Sequence, residues 1–531
     1  MRVITGLLLF LLSVSLSATD RYTGNSTVDV IHYEFTIHLS DSTDNIRGKA
    51  RILISHTGNT GIINLDLVGQ DTTGRGMTVT DVSIDGKPVQ WSHNDQRLRL
   101  SLPAVKPEGD SSIVVVHYKG MPADGLIITD NRHGDRTFFA DNWPDRARNW
   151  IPCIDHPSDK AFVDFIVFAP GKYRVVSNGY LYEESILKNG MKITHWKEEV
   201  SIPTRVMVIG VAQFAVRLAG KALGTDIWTY VFPEDREAGF SDYSIALDPF
   251  TWYSEKIGPY AYEKLANVQS KTMFGGMENA GCIFYHEASV TGKGRVEGLI
   301  AHEIAHQWFG NSLTEKDWHH LWLSEGFATY FTSLYLAGKE GEQRLRDDMH
   351  RARQRVISFH GRKPAPVIDT TAFEFMKLLN ANSYQKGAWI LHMLCQELGE
   401  DLFWRGIQSY YARYRNANVL SSDFKLVMEE LSGRELDRFF HQWLNIPGHP
   451  ELKISWTYNR KRKEIRLNVE QKQAGHTFQF PLEVQINDPG GSRLESVTVN
   501  RRVQSFMIKS ANPPYEIIPD PGVRLLFEDI S

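Results

Sequence analysis

The spacing of apolar residues changes twice along this 531-residue chain, and those changes constrain its fold more than any other feature. Up to about residue 215, apolar and polar residues alternate. In "HYEFTIHLS", for example, Tyr33, Phe35 and Ile37 are separated by single polar residues. A period of two indicates half-buried β-strands. From about Phe240 the apolar residues follow a helical spacing, and after "IPGHPEL" at 446–452 short alternating segments return.

These changes predict a multidomain α+β protein. We expect an all-β domain over residues 18–215, a mainly helical domain over 216–448 and a small C-terminal β-sandwich domain over 449–531. A chain of 531 residues is too long for one ordinary hydrophobic core, which favours several domains.

The first residues have the layout of a secretory signal peptide. Arg2 precedes an apolar run from about Leu7 to Leu12, and Ser15 and Ser17 occupy the small-residue positions before a cleavage site. We therefore expect residues 1–17 to be removed and the protein to be secreted or periplasmic. The alternative is a retained N-terminal anchor, although the apolar run is short for spanning a bilayer. No later segment is long and apolar enough to be transmembrane.

The composition gives no reason to expect a nucleic-acid partner. The chain has 59 Lys and Arg against 63 Asp and Glu, which leaves a formal net charge of −4. Its three cysteines, Cys153, Cys282 and Cys395, are far apart and form no CxxC pair, so a disulfide framework is not expected. They are interpreted as small buried hydrophobic residues.

The segment "GLIAHEIAHQWFG" at 298–310 is the strongest chemical signal in the sequence. Its apolar residues favour a helix, in which positions four apart lie on one face. His302 and His306 could therefore bind one metal ion, and imidazole nitrogens suit zinc. A short motif is weak evidence alone, and a buried histidine pair without metal is the alternative.

A third candidate ligand lies in "WHHLWLSEGFATYF", with eighteen residues between it and His306. Glu325 has large apolar neighbours, and a carboxylate in such surroundings needs a cation or hydrogen-bond donors. A set of two histidines and one glutamate leaves a zinc position open for water, as catalytic sites require. His319 and His320 are rival ligands, but they lie outside the two-helix arrangement. Glu303 is placed to act as the general base toward a zinc-activated water.

The combination "HEIAHQWFGN…LWLSEGFATY" resembles the gluzincin metallo-aminopeptidases, the family of aminopeptidase N and leukotriene hydrolase. Two further motifs support the resemblance: "FGGMENAG", with GGMEN at 275–279, and "NSYQKGA", which contains Tyr384. Upstream, "RARNWIPCIDHP" and "VVSNGYL" are similar to the N-terminal β-domain of that family. The resemblance thus extends over nearly the whole mature chain, and it implies a thermolysin-like zinc catalytic domain over 216–448.

The resemblance also implies roles for individual residues. Glu278 would bind the free α-amino group of a peptide, and Tyr384 would donate a hydrogen bond to the oxyanion. The remaining GGMEN residues would form the substrate-binding loop, with the two glycines allowing close approach of the backbone; these residues are Gly275, Gly276, Met277 and Asn279.

Two features depart from the family pattern. Where relatives place a Gln or Glu near the substrate amine, the aligned segment "FFADNWPD" has the shorter Asp141, which would reach the amine through water or not at all. Many relatives carry a large helical domain after the β-sandwich, whereas about 80 residues cannot hold both. We therefore expect no C-terminal helical domain and a more open entrance to the active site.

The predicted function is that of a zinc aminopeptidase with one Zn²⁺ per chain, acting on peptides with a free N-terminus. The alternatives are a zinc endopeptidase of the gluzincin type, which shares the HExxH helix, and a non-catalytic peptide-binding scaffold on the same fold. The GGMEN motif favours the aminopeptidase, and the presence of every predicted ligand and of Glu303 disfavours the scaffold.

Overall fold

The computed structural model describes residue 22, residues 26–94 and residues 96–531. The predicted signal peptide, residues 1–17, lies outside these described residues. Within them, no helix is both long and apolar enough to cross a membrane.

The N-terminal part of the chain is built from β-strands, as the alternating sequence predicts. In the first strand Tyr33, Phe35 and Ile37 are buried, and the residues between them are more exposed. The strands of this part are β1 (Val28–His38), β2 (Ile46–His56), β3 (Thr60–Asp66), β4 (Gly76–Ile84), β5 (Lys87–Pro88), β6 (Trp91–Asn94), β7 (Arg97–Lys106), β8 (Ser111–Met121), β9 (Leu126–Asp130), β10 (Arg136–Ala140), β11 (Lys160–Pro170), β12 (Arg174–Ser177), β13 (Tyr180–Ile186), β14 (Met191–Pro203) and β15 (Ile209–Ala212).

These strands form three sheets. The largest has eight strands in the order β13-β14-β11-β1-β2-β8-β4-β5, and β1 pairs with β11 in parallel and with β2 antiparallel. A four-stranded sheet, β12-β15-β10-β9, and a three-stranded sheet, β3-β7-β6, complete this part. One hydrophobic core lies between the sheets and extends to residues of the middle part of the chain.

The middle part combines a mixed sheet with helices. The sheet has the order β16-β17-β18-β20-β19, so β19 is an edge strand. The elements are β16 (Ala215–Ala222), β17 (Thr225–Val231), α1 (Arg236–Tyr243), α2 (Leu247–Lys256), β18 (Lys264–Ser270), β19 (Gly276–Met277), β20 (Cys282–His286), α3 (Glu297–Ala305), β21 (Thr314–Glu315), α4 (Trp322–Glu340), α5 (Glu342–His360), α6 (Gly387–Leu398), α7 (Glu400–Tyr414), β22 (Asn418–Val419), α8 (Ser421–Ser432) and α9 (Asp437–Phe440).

The last part of the chain returns to strands. They form a four-stranded sheet, β27-β24-β23-β29, and a three-stranded sheet, β26-β25-β28. Buried residues of these strands belong to the same hydrophobic core as the helices of the middle part. The strands are β23 (Glu451–Asn459), β24 (Glu464–Gln471), β25 (Phe480–Asp488), β26 (Gly491–Val499), β27 (Val503–Lys509), β28 (Glu516–Pro519) and β29 (Glu528–Asp529).

A buried ion pair joins the N-terminal strands to the middle part. Arg205, directly after β14, pairs with Glu315 on β21, and both side chains are almost fully buried. The guanidinium also donates a hydrogen bond of 2.8 Å to the carbonyl of Gly310 and lies 5.2 Å from the ring centre of Trp318. This arginine therefore fixes the loop that follows α3 against the β-rich part of the chain.

We predict that Arg205→Ala destabilises the protein by about 3–5 kcal/mol, because Glu315 would be left as an uncompensated buried charge. The shift in the urea unfolding midpoint measures this effect.

Arg413→Ala is the matched control, since the ion pair between Arg413 and Glu430 is exposed and such pairs contribute little to stability. Its unfolding midpoint should stay close to that of the wild type. Equal shifts for the two variants would contradict a structural role for the Arg205 ion pair.

Candidate metal centre and active site

Helix α3 carries His302 and ends just before the second histidine. The sequence predicts a helix through the whole HEIAHQWFG segment, but α3 ends at Ala305. His306 still has helical backbone angles (φ −59°, ψ −22°), so the two imidazoles keep the one-turn relation expected of positions four apart. After His306 the helical turn becomes tighter: the N–H of Gln307 bonds to the carbonyl of Ile304, three residues earlier, instead of the carbonyl four residues earlier.

The three predicted metal ligands converge on one point. The Nε2 atoms of His302 and His306 are 3.2 Å apart, and Oε2 of Glu325 lies 3.4 Å and 3.3 Å from them. Tetrahedral zinc with bonds of about 2.0–2.1 Å would separate its ligand atoms by about 3.3–3.4 Å. The donor set and its spacing therefore fit a zinc ion, with His302, His306 and Glu325 as ligands.

The ring orientation of His306 is set by its own loop. Its Nδ1 lies 3.1 Å from the carbonyl oxygen of Phe309 and 3.0 Å from Oγ of Ser324. Donation from Nδ1–H to that carbonyl leaves the lone pair on Nε2, where a metal would bind. Gly310 makes this packing possible: its φ is +119°, and a Cβ there would lie 2.3 Å from Oγ of Ser324.

The buried charged groups around the three ligands favour the binding of a cation. Burial raises the pKa of Glu303 well above its usual value; His306 opposes this, and the carboxylates of Glu278 and Glu325 add to it. Although burial alone would lower the pKa of His306, the carboxylates of Glu325 and Glu278 raise it to about 10. Three buried carboxylates thus share a space with two imidazoles, and a divalent ion would balance them.

Glu303 lies between the ligand set and the GGMEN segment. Its side chain is buried and packs against Gly276, where an added Cβ would be only 2.4 Å from Oε1 of Glu303. Donor atoms of Glu278, Glu303 and His306 lie within 4.8 Å of one another. Any side chain at position 276 would therefore displace the Glu303 carboxylate. This position requires glycine because of the space available and not only because of backbone flexibility.

The GGMEN segment is partly a strand and not only a loop. Gly276 and Met277 form β19 and pair antiparallel with β20. Two side chains from the segment after α3 hold the carbonyl oxygen of Glu278: Nε2 of Gln307 donates at 2.9 Å and Nδ2 of Asn311 at 2.5 Å. Oε1 of Glu278 is buried and has no hydrogen-bond partner among the described residues.

Tyr384 covers the ligand set from a neighbouring helix. It lies in a π-helical turn (Asn382–Lys386) before α6, and its ring is nearly parallel to that of His302 at 6.1 Å. Burial raises the pKa of its hydroxyl well above the usual value, and the carboxylate of Glu325, to which it hydrogen-bonds, raises it further. A close contact of α4 with α6 permits this position, since a Cβ on Gly326 would lie 2.8 Å from Cα of Gly387.

A small cavity of about 50 Å³ brings most of the predicted residues together. Its lining includes the predicted site residues Gly276, Met277, Glu278, His302, Glu303, His306, Glu325 and Tyr384. The rest of its wall is apolar and consists of Trp143, Phe274 and Leu379. Gly275 and Asn279 lie beside the cavity and do not line it within the described part of the chain.

The carboxylate of Asp141 is bound by neighbouring protein groups. It is fully buried, one carboxylate oxygen pairs with Arg146 at 2.7 Å, and the other accepts hydrogen bonds from Thr272 Oγ1 and the N–H of Met273, both at 2.9 Å. Among the described residues lining the cavity, Asp141 is absent. Its short side chain is occupied in holding the segment before GGMEN, so this geometry gives no support to a contact with the substrate amine.

His319 and His320 point away from the ligand set. Nε2 of His319 lies 3.2 Å from the carbonyl oxygen of Ala372, and Nδ1 of His320 lies 2.8 Å from Oγ of Ser421. The three cysteines are free, as the sequence predicts; Cys153 and Cys282 are buried and Cys395 is partly buried.

Several residues that shape the site were not predicted. Gln307, Asn311, Gly310 and Ser324 lie within or next to the HEIAH and distal glutamate motifs, and each supports a ligand or Glu278 through its contacts. The available signal was the occurrence of polar residues in segments that are otherwise apolar and buried. Arg205 gave no such signal, because its partner is more than a hundred residues away.

Comparison with known proteins supports the same assignment. A model of the peptidase M1 N-terminal domain matches residues 30–206, and a model of the peptidase family M1 domain matches residues 243–443. The chain is 29% identical over 369 residues to a glutamyl aminopeptidase of Bos taurus, which covers 65% of this chain and 38% of that protein. It is 26% identical over 481 residues to a leucyl aminopeptidase of Saccharolobus solfataricus, covering 87% of this chain and 59% of that protein.

Solved structures share the fold. An M1 zinc metallopeptidase from Deinococcus radiodurans has a TM-score of 0.68 at 23% identity, covering 80% of this chain and 95% of that one. Legionella pneumophila aminopeptidase A, solved in complex with aspartic acid, has a TM-score of 0.83 at 17% identity and covers 97% of this chain and 61% of that one. The two family models, which together span most of the described residues and include every predicted metal ligand, show that the chain belongs to peptidase family M1.

Proposed function

We propose that this chain is a zinc aminopeptidase that hydrolyses the first peptide bond of peptides with a free N-terminus. The observation that carries the proposal is the convergence of His302, His306 and Glu325 on one point, with the carboxylate of Glu278 close by. The chain spans 38% and 59% of the lengths of the two relatives described above, so this activity is inferred from its own residues together with its family.

The spacing supports removal of a single residue. Donor atoms of Glu278 and His306 lie within 4.8 Å of each other. In a peptide, the α-amino nitrogen and the first carbonyl carbon are about 2.5 Å apart. An ammonium paired with Glu278 would therefore bring the first carbonyl next to the ligand set, and a longer N-terminal extension would meet the buried carboxylate of Glu278 instead.

The edge strand offers a backbone template for the substrate. The side of β19 that does not face β20 is an open sheet edge, and extended peptides bind such edges through main-chain hydrogen bonds. Gly276 keeps this edge free of side-chain bulk beside Glu303.

A zinc ion held by the three ligands would act as a Lewis acid toward water and the scissile carbonyl. Glu303, whose carboxylate lies within 4.8 Å of a donor atom of His306, accepts the proton from the attacking water and returns it to the leaving amine. Tyr384, whose hydroxyl stays protonated in this setting, donates a hydrogen bond to the oxyanion. Glu278 holds the substrate ammonium throughout.

We also propose that the strands beyond residue 449 form a C-terminal β-sandwich domain and that the domain boundaries lie near residues 215 and 448. The two C-terminal sheets support this division. The core that these strands share with the helices favours a fixed docking of the sandwich on the catalytic part.

We predict that wild-type protein cleaves alanyl and leucyl fluorogenic amides and does not cleave their N-acetylated forms, because acetylation removes the positive charge that pairs with Glu278. Glu278→Gln should reduce kcat/KM for the free-amine substrates by about two to three orders of magnitude, the loss of one buried charge-assisted contact. Equal cleavage of free and acetylated substrates by the wild type would favour an endopeptidase.

We predict one zinc ion per chain in the purified protein, measured by elemental analysis. His306→Ala should lose the metal and the activity, since it removes one of three protein ligands. Glu303→Gln should keep the metal while kcat falls about 10²–10⁴-fold, the usual contribution of a general base. A Glu303→Gln variant that retains full turnover would reassign the base, and a wild-type protein that hydrolyses the amides after chelation would exclude the metal from the reaction.

We predict that Gly276→Ala lowers kcat at least tenfold, because the new Cβ would occupy the position of the Glu303 carboxylate. Gly275→Ala is the matched control: a Cβ there would approach Leu299 Cδ1 only to 4.0 Å. Zinc content should be unchanged in both variants. If the two variants have equal kcat, the packing of Glu303 on Gly276 has no catalytic importance.

A further inference from the structure

A second cavity, of about 600 Å³, opens next to the metal centre and shares His302 and Tyr384 with it. It lies between α3, α4 and α5, and its lining includes Thr329, Arg351 and Arg355. We call it the arginine groove, because three of its lining residues are arginines: Arg344, Arg351 and Arg355.

The groove and the amine site have different lining residues. Glu278 lines the small cavity at the metal centre, whereas no GGMEN residue is among the described residues that line the groove. A peptide with its ammonium at Glu278 and its first carbonyl at the ligand set would continue past His302 and Tyr384. Residues after the scissile bond would therefore enter the arginine groove.

The charges in the groove do not balance. Arg344 is held by Glu340 at 2.7 Å and by Asp348 at 2.9 Å, and Arg351 pairs with Asp348. The two carboxylates thus match two of the arginines. Arg355 is exposed and has no ion pair or hydrogen bond to any residue in the described part of the chain. One positive charge is left over.

A hydroxyl group in the groove also lacks a hydrogen-bond partner among the described residues. It is Oγ1 of Thr329, which is buried. Thr329 follows the metal ligand Glu325 by one helical turn on α4, so its hydroxyl lies on the same face of that helix as the ligand. A guanidinium and a hydroxyl at one groove are donors without a matching acceptor.

We propose that the arginine groove binds a carboxylate carried by the leaving-group side of the substrate, with Arg355 as the residue that selects it. The proposal rests on the proposed aminopeptidase function and names its preferred substrate class: peptides with a negative charge shortly after the cleaved bond. A guanidinium presents a planar fork of donors that matches a carboxylate. Two sources supply that group, the C-terminal carboxylate of a short peptide or an acidic side chain at the second or third residue.

The experiment compares four peptides and one anilide. Ala-Ala-Ala with a free C-terminus is paired with its C-terminal amide, and Ala-Glu-Ala-amide is paired with Ala-Gln-Ala-amide; alanine p-nitroanilide carries no carboxylate. We expect wild-type protein to favour one or both acidic members by about two- to fivefold in kcat/KM, mainly through KM, as suits a solvent-exposed charge pair. The pair that shows the preference identifies the source of the carboxylate.

Arg355→Gln should abolish this preference and leave turnover of the anilide unchanged. Arg346→Gln is the matched control, because Arg346 is on the same helix, pairs with Glu342 and is not among the described residues that line the groove. It should keep the preference. In wild-type protein the preference should also shrink as salt is raised, because exposed charges are screened.

The outcomes separate the two proposals. If wild-type protein cleaves neither the anilide nor any peptide, the aminopeptidase function fails. If it cleaves them but treats acidic and neutral members alike, or if Arg355→Gln keeps the preference, the carboxylate site is overturned and the proposed function stands.

Discussion

The structure around the active site depends on one constraint, the convergence of three buried carboxylates and two imidazoles on the walls of one cavity of about 50 Å³. Without a positive charge at the centre, Glu278, Glu303 and Glu325 would repel one another in a setting from which water is largely removed. A divalent cation relieves that repulsion, and the 3.2–3.4 Å triangle of ligand atoms provides a place for it.

Much of the site could be predicted from the sequence because its parts are local. His302, Glu303 and His306 are within five residues of one another, and the helical period fixes their mutual geometry. The segment that contains Glu325 is helical, as expected, so the prediction needed only one long-range step, the packing of α4 on α3. Glu278 and Tyr384 depended on the family resemblance, since no periodicity relates them to the histidines. The structure places both next to the ligand set.

The parts that could not be predicted depend on contacts between distant segments. Asp141 shows this most clearly: the sequence left open whether it reaches the substrate amine, and in the structure Arg146, Thr272 and the backbone of Met273 bind its carboxylate. The end of α3 at Ala305 also escaped prediction, because the apolar pattern continues after the helix stops. In the fold, the N-terminal strands follow directly from alternation, whereas the five-stranded sheet that carries β19 lies in a part expected to be mainly helical.

One stretch of chain carries two of the three proposed metal ligands and the supports of Glu278. His302 and His306 precede Gln307 and Asn311, and the last two hold the carbonyl of Glu278. The distance between Glu278 and the two histidines is therefore set by contacts with a single short segment, residues 302–311. In the proposed reaction, this one segment would therefore decide which peptide bond meets the metal, whatever the shape of the entrance.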